Sequence, residues 1–160
     1  MRQIAFLLFT FISFSGNAFP TKPVRIIVAY PAGGGIDVMA RQIGEKLSAN
    51  WGQPVIVENK PGANTIVATD AAAKAAPDGH TILMTTDATF SINPHLYKKL
   101  PYDAERDFIP VTMLVLLQQM LVAHPSVQAN TLEELIKLAK ANPGKLNYAS
   151  YGSGSQPHLS

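Results

Sequence analysis

Two glycine-rich stretches carry the most evident capacity for chemistry in this sequence. Tyr30-Pro31-Ala32-Gly33-Gly34-Gly35 runs into Ile36-Asp37, and Ser150-Tyr151-Gly152-Ser153-Gly154-Ser155 runs into Gln156-Pro157-His158. Glycines that lead a strand into a helix present unpaired backbone N–H groups at the positive end of the helix dipole, an anion cradle suited to phosphate or carboxylate. A Cβ there would hold a ligand away from the main chain. The first loop is not a Walker loop, because no Gly-Lys-Ser/Thr follows, and it lacks the G-x-G-x-x-G spacing of a dinucleotide site. Asp37 places a negative charge in the same mouth, which disfavours phosphate. The plainer reading, in which the glycines only turn the chain and Asp37 caps the helix, stands beside it. Thr85, Thr86 and Asp87 follow an extended run and either face a crevice at strand carboxyl ends or satisfy a tight turn.

Other constellations offer less. His80, His95, His124 and His158 have no ligand spacing, so no metal site is expected. Ser150 lacks a G-x-S-x-G elbow, so a hydrolase using Ser150 or Asp37 has little support and no catalytic residue is assigned. Glu133-Glu134 sit where a helix start favours carboxylates. Tyr30 and Trp51 have the shape to line a pocket, with core packing the default for the tryptophan.

The elements that must position these residues can be read from periodicity. Val24 to Tyr30 is a β-branched run that reads as a buried strand. Ile36, Ala40, Ile43 and Leu47 mark one apolar face of a helix stopped by Gly52 and Pro54. Val55–Val57 is a second strand, Thr65 to about Ala76 a second helix, and Thr81–Thr85 a third strand. This β-α-β-α-β order implies a parallel sheet covered by helices. Residues 88–107 read as irregular turns. Ile109–Leu117 and Gln119–Ala123 are expected to be extended. Thr131 and Glu134 form a capping box ahead of a helix with Leu132, Leu135, Ile136 and Ala139 on its buried face. Leu146–Ser150 is expected to be a last strand.

Composition narrows the class. The chain has 160 residues, no cysteine and a formal charge of +2. That charge is too small for the basic stripe of a nucleic-acid binder, and the missing cysteine excludes disulfides and thiolate chemistry. Met1-Arg2, the apolar run Ile4–Phe14 and Gly16-Asn17-Ala18 read as a secretory signal cleaved after Ala18. The apolar run is short of the ~20 residues a spanning helix needs. A periplasmic location is expected.

The ordered motifs resemble one family. Lys22–Val28, Tyr30–Gly35 with Asp37, Trp51-Gly52-Gln53-Pro54, Glu58–Ala63, Pro77-Asp78-Gly79, Ile92-Asn93-Pro94, Leu100–Asp103, Asn142–Tyr148 and Gly152–Ser155 with His158-Leu159 resemble the Bug family. These are the periplasmic substrate-binding receptors of tripartite tricarboxylate transporters. The resemblance implies an α/β, periplasmic-binding-protein-like flytrap with parallel-sheet lobes that closes on a small carboxylate. Di- and tricarboxylates, acidic amino acids or related metabolites are the implied ligands, membrane transporter components the implied partners, and no cofactor is implied.

The resemblance makes Ala32, Gly33, Gly34, Gly35 and Asp37 one clamp. It makes Ser150, Gly152, Ser153, Gly154 and Ser155, with His158 nearby, the other, and it faces Thr86 and Asp87 to the cleft. Ile36 stands where Thr or Ser is usual, and Asn64-Thr65 replaces a glycine pair. Family members are about twice as long. The expected division is a signal at 1–18, a first lobe at 19–105 and the start of an incomplete second lobe at 106–160. A remnant that does not bind is the alternative function.

Overall fold

The computed structural model describes residues 19–159; the expected signal segment and its cleavage point lie outside the described residues. The chain order is β1 (Val24–Val28), α1 (Gly35–Trp51), β2 (Val55–Asn59), α2 (Ile66–Ala73) and β3 (Thr81–Met84). A π-helical turn (Ala88–Ile92) and α3 (Asn93–Leu96) follow, then α4 (Leu132–Ala141) and α5 (Gln156–Leu159).

The three strands form one parallel sheet in the order β2-β1-β3. β1 pairs on both sides, with Val24 beside Val55 and Arg25 beside Thr81. Its burial on both faces explains the continuous aliphatic run. Ile26 and Val28 pack with Ala40 of α1 and Met84 of β3 on one face. Ile27 and Ala29 pack with Ala68 of α2 on the other. Each helix thus covers one side of the sheet. Gly44 lets α1 approach β2, since a Cβ there would meet Val55 Cγ1 at 3.2 Å. The helix ends at Gly52, whose amide bonds the Ser48 carbonyl.

At the far end of the sheet from the glycine loops, the Phe19 ring meets Trp51 edge-on at 5.9 Å and His80 at 4.9 Å. The N-terminal segment is further held by Lys22 on Asp78 at 2.7 Å. Trp51 therefore has the packing role expected of it.

Residues 88–107 are more ordered than their punctuation suggests. Thr89 and Asn93 are fully buried, and Tyr102 is nearly so. The Thr89 hydroxyl shares hydrogen bonds with Thr85 at 2.6 Å and Thr65 at 2.7 Å, while Tyr102 donates to the Thr89 carbonyl at 3.0 Å.

Beyond residue 107 three expectations are corrected. Ile109–Leu117 and Gln119–Ala123 form no strand, and neither does Leu146–Ser150. A strand requires a neighbour to accept its backbone hydrogen bonds, and the only sheet among the described residues is the three-stranded one. The apolar side chains consequently face solvent, with Ile109 91% and Met120 85% exposed. α4 forms where its capping box predicts. Thr131 accepts the Glu134 amide at 3.2 Å, and Glu134 reaches back to the Asn130 amide at 2.7 Å. No residue of α4 is buried, however, and Leu132 and Ile136 are exposed, so its apolar face lacks the cover expected of it.

Candidate functional site

In an open α/β sheet, ligands bind beyond the carboxyl ends of strands where the strand order reverses. Here the chain passes from β1 outward to β2 and returns to β3 on the other side, so the reversal lies between β1 and β3. Tyr30, just after β1, and Thr86, just after β3, meet there with hydroxyls 2.7 Å apart. Burial raises the Tyr30 pKa above the usual tyrosine value, and nearby Tyr151 and Asp87 add to the rise against the lowering effect of the Thr86 bond.

The first glycine loop emerges beside this pair. Gly33 has φ +85°, a conformation open to glycine at little cost. Gly33, Gly34 and Gly35 are all exposed, as is Ala32. Among the described residues no hydrogen bond engages the amides of Gly34 or Gly35. The Gly33 amide instead donates to Asp37 Oδ2 at 2.8 Å.

Asp37 is only 3% exposed and is surrounded by donors. Arg41 donates to Oδ2 at 3.1 Å and lies 3.0 Å from Oδ1, and Asn59 Nδ2 donates to Oδ1 at 2.9 Å. The Arg41 bond first, then the Gly33 amide and Asn59, hold its pKa down to about 2. Its charge is thus matched inside the loop rather than left facing a ligand.

The second glycine loop is partly self-satisfied. Ser155 Oγ donates to the Gly152 carbonyl at 2.6 Å, the Gly154 amide donates to His158 Nδ1 at 3.3 Å, and the Gly152 amide to Ser150 Oγ at 3.4 Å. Among the described residues no hydrogen bond engages the Ser153 amide. The loop leads into α5, which spans four residues.

A cavity of about 340 Å³ lies between the residues that follow β1 and the second glycine loop, and Ala32, Gly33, Gly34, Gly35 and Asp37 are not among its lining residues. Tyr30 and Pro31 line it from just beyond β1, Pro61–Thr65 from the loop after β2, Tyr97 from the end of α3, and Tyr151, Gly152 and Ser153 from the second glycine loop. None of its lining residues is charged. Of the expected site residues, Gly152 and Ser153 line the cavity. Thr86 reaches it through Tyr30, and Asp87 stands exposed near Tyr30. Ser150, Gly154, Ser155 and His158 shape the second loop behind its wall.

Sequence reasoning did not assign Asn59, Asn64, Thr65, Tyr97 or Tyr151 to the site. The threonine pairs at helical spacing, Thr65/Thr69 and Thr85/Thr89, were the available signal for the polar network. A larger, open groove of about 570 Å³ between α1 and β2 is lined by Arg41, Gly44, Glu45, Ser48, Ala49, Val55 and Val57. It contains none of the expected residues.

Among the described residues no group of three or more His, Asp or Glu side chains is placed to hold a metal ion. No helix among them is long and apolar enough to cross a membrane.

A parallel α/β sheet with a crevice at its β1/β3 reversal defines a periplasmic-binding-protein-like chain, and solved structures agree. The chain matches the periplasmic binding protein BugD at 34% identity with a TM-score of 0.68, over 88% of its own length and 47% of that chain. It matches Rhodopseudomonas palustris Rpa4515, solved with adipate, at 30% identity and TM-score 0.78, over 86% of its length and 46% of that chain. Residues 39–160 fit the model of the tripartite tricarboxylate transporter family receptor, and the chain belongs to that family. A UPF0065 protein of Bordetella pertussis is 42% identical across 99% of this chain and 50% of its own length. The chain thus spans about half the length of the curated relatives it matches.

Proposed function

We propose that this chain takes part in binding a small organic acid in the periplasm, with a di- or tricarboxylate, an acidic amino acid or a related metabolite as the ligand, for delivery to membrane components of a tripartite tricarboxylate-type transporter. The observation that carries the reading is the uncharged cavity between Tyr30-Pro31, which lead into the first glycine loop, and Gly152-Ser153 of the second. The Ser153 amide is free at its wall, and those of Gly34 and Gly35 are free in the loop that follows Pro31, another lining residue. Such amides grip a carboxylate by hydrogen bonds and helix dipole without a fixed cation. Adipate in the Rpa4515 structure is a ligand of this chemical class. Gly34 and Gly35, set by the turn at Ala32 and Gly33, supply one grip, and Gly152 and Ser153 the other. Asp37, Ser150, Gly154, Ser155 and His158 hold those loops in shape, and Thr86 and Asp87 frame the mouth.

A second reading, in which these 160 residues bind weakly by themselves, is favoured by the exposed apolar run from Ile109 to Val122. Surface of that kind calls for a cover. Thermal denaturation with citrate, glutamate, malate and adipate separates the readings. A ligand at 100 times its Kd should add ~2.7 kcal/mol of stability. Silence across the panel supports the second reading. Hydrolysis of a carboxylate ester, lost in Ser150→Ala, would overturn both.

A further inference from the structure

We infer that Asn64 is a strut that fixes the second glycine loop against the loop between β2 and α2, and so sets the length of acid that the cavity between them accepts; the second clause rests on the carboxylate reading above. Asn64 lies in the loop between β2 and α2, 90 residues from the loop it holds. Its side-chain amide spends both hydrogens. One goes to Asn93 Oδ1 at 2.8 Å and the other to the Gly154 carbonyl at 3.0 Å.

Both acceptors are oxygens, and Asn93 Nδ2 in turn donates to the Asn64 carbonyl at 2.7 Å, so the network itself fixes which way each amide points. Asn93 is fully buried and anchors the base of the strut. It also reaches Thr65 Oγ1 at 3.3 Å, tying the strut to the buried threonines.

The backbone supports the same conclusion. Ala63, Asn64 and Thr65 have φ of 46°, 48° and 75°, three successive left-handed residues without a glycine among them. Side chains carry a steric cost in that region that glycine avoids. A glycine at 64 would relax the loop but would lose the bridge, so what distinguishes asparagine here is its side chain.

The receiving loop is fitted to the strut. Gly154 is buried while its neighbours Gly152 and Ser153 are exposed. A Cβ on it would come within 2.5 Å of Leu96 Cδ2 and 3.1 Å of Asn64 Nδ2. Asn64, Gly152 and Ser153 line the same cavity, so a change in the strut changes its width.

Hydrogen exchange in the intact chain tests the strut without a ligand. The amides of Gly152, Gly154 and Ser155 are bonded within their loop, so their exchange requires the loop to open. Asn64→Gly should speed exchange across residues 150–155 by tenfold or more while leaving β1 unchanged. Asn64→Asp, which keeps the size but cannot donate, should do the same. Unchanged exchange at 150–155 in a variant whose β1 stays protected overturns the strut.

Affinity for straight-chain dicarboxylates of four to eight carbons tests the length claim. Asn64→Gly should shift or flatten the preference, and an identical ranking overturns that claim. If neither protein binds any of these acids, the carboxylate reading and the length claim fall together, and exchange alone decides the strut.

Discussion

Asp37 accepts the amide hydrogen of Gly33 at 2.8 Å, four residues behind it in the chain. The carboxylate therefore folds back onto its own loop and, with Arg41 and Asn59, holds the glycine turn against α1 and β2. The same bond removes one amide from those free to meet a ligand.

This arrangement has an acid signature. A carboxyl whose folded pKa is depressed to about 2 contributes stability that is present above its unfolded value of 3.8 and lost as pH falls through the folded one. Urea midpoints should thus decline between about pH 4 and pH 2. Asp37→Asn should flatten part of that decline. Asp78, held down to about 2 chiefly by Lys22, accounts for a further part. The double variant Asp37→Asn/Asp78→Asn should therefore be flattest, and equal slopes in all three proteins would contradict the assignment.

Alanine substitutions along the first loop should separate folding from binding. Gly33→Ala forces a side chain into φ +85° and should lower stability by ~1–2 kcal/mol. At Gly34 a Cβ would meet only the Pro31 carbonyl at 3.5 Å, and at Gly35 it would meet nothing within 4 Å. Both alanines should keep or slightly raise the melting temperature, yet abolish acid binding detected by calorimetry. Retained binding in both would remove this loop from the site.

Thr89 is the hub of the buried hydroxyls. Thr89→Val strips the shared partner from Thr65 and Thr85 and should cost about 1–3 kcal/mol in urea unfolding. Thr89→Ser should recover most of the loss. A valine variant as stable as the parent would show the network to be energetically idle.

Trp51 is the single tryptophan of the chain, which makes the N-terminal packing easy to observe. Phe19→Ala should cost on the order of 0.5–1.5 kcal/mol by removing an edge-to-face pair. It should also shift the tryptophan emission to longer wavelength as the ring gains water. An unmoved spectrum would mean that Phe19 does not shield the indole.

The first half of the fold was legible because its signals are local or doubly determined. Val24–Val28 reads as a strand from its aliphatic run, and the Ile36, Ala40, Ile43 and Leu47 face reads as a helix whichever partner it meets. Ile109–Val122 carries an equally strong extended signal, yet β propensity describes fit to a neighbouring strand rather than a backbone preference. No such strand lies beside it among the described residues. α4 shows the same division, since its capping box is local and formed while its apolar face needed a partner.

At the cavity, Gly152 and Ser153 lie in a loop legible from its glycines, and Thr86 is placed by following the third strand. Asn64 and Asn93 could not be read this way, because asparagine after Pro-Gly-Ala or before proline reads as an ordinary turn residue. Their roles come from meeting across 29 residues and then reaching Gly154.

β1 is held on both flanks, yet it precedes both of its neighbours in the chain. During synthesis the greasiest strand emerges first and stays unsatisfied until Met84 has been added. A factor that shelters a nascent polypeptide would therefore meet Val24–Val28 before its flanks are covered, and slowing translation between β1 and β3 should lengthen that vulnerable interval.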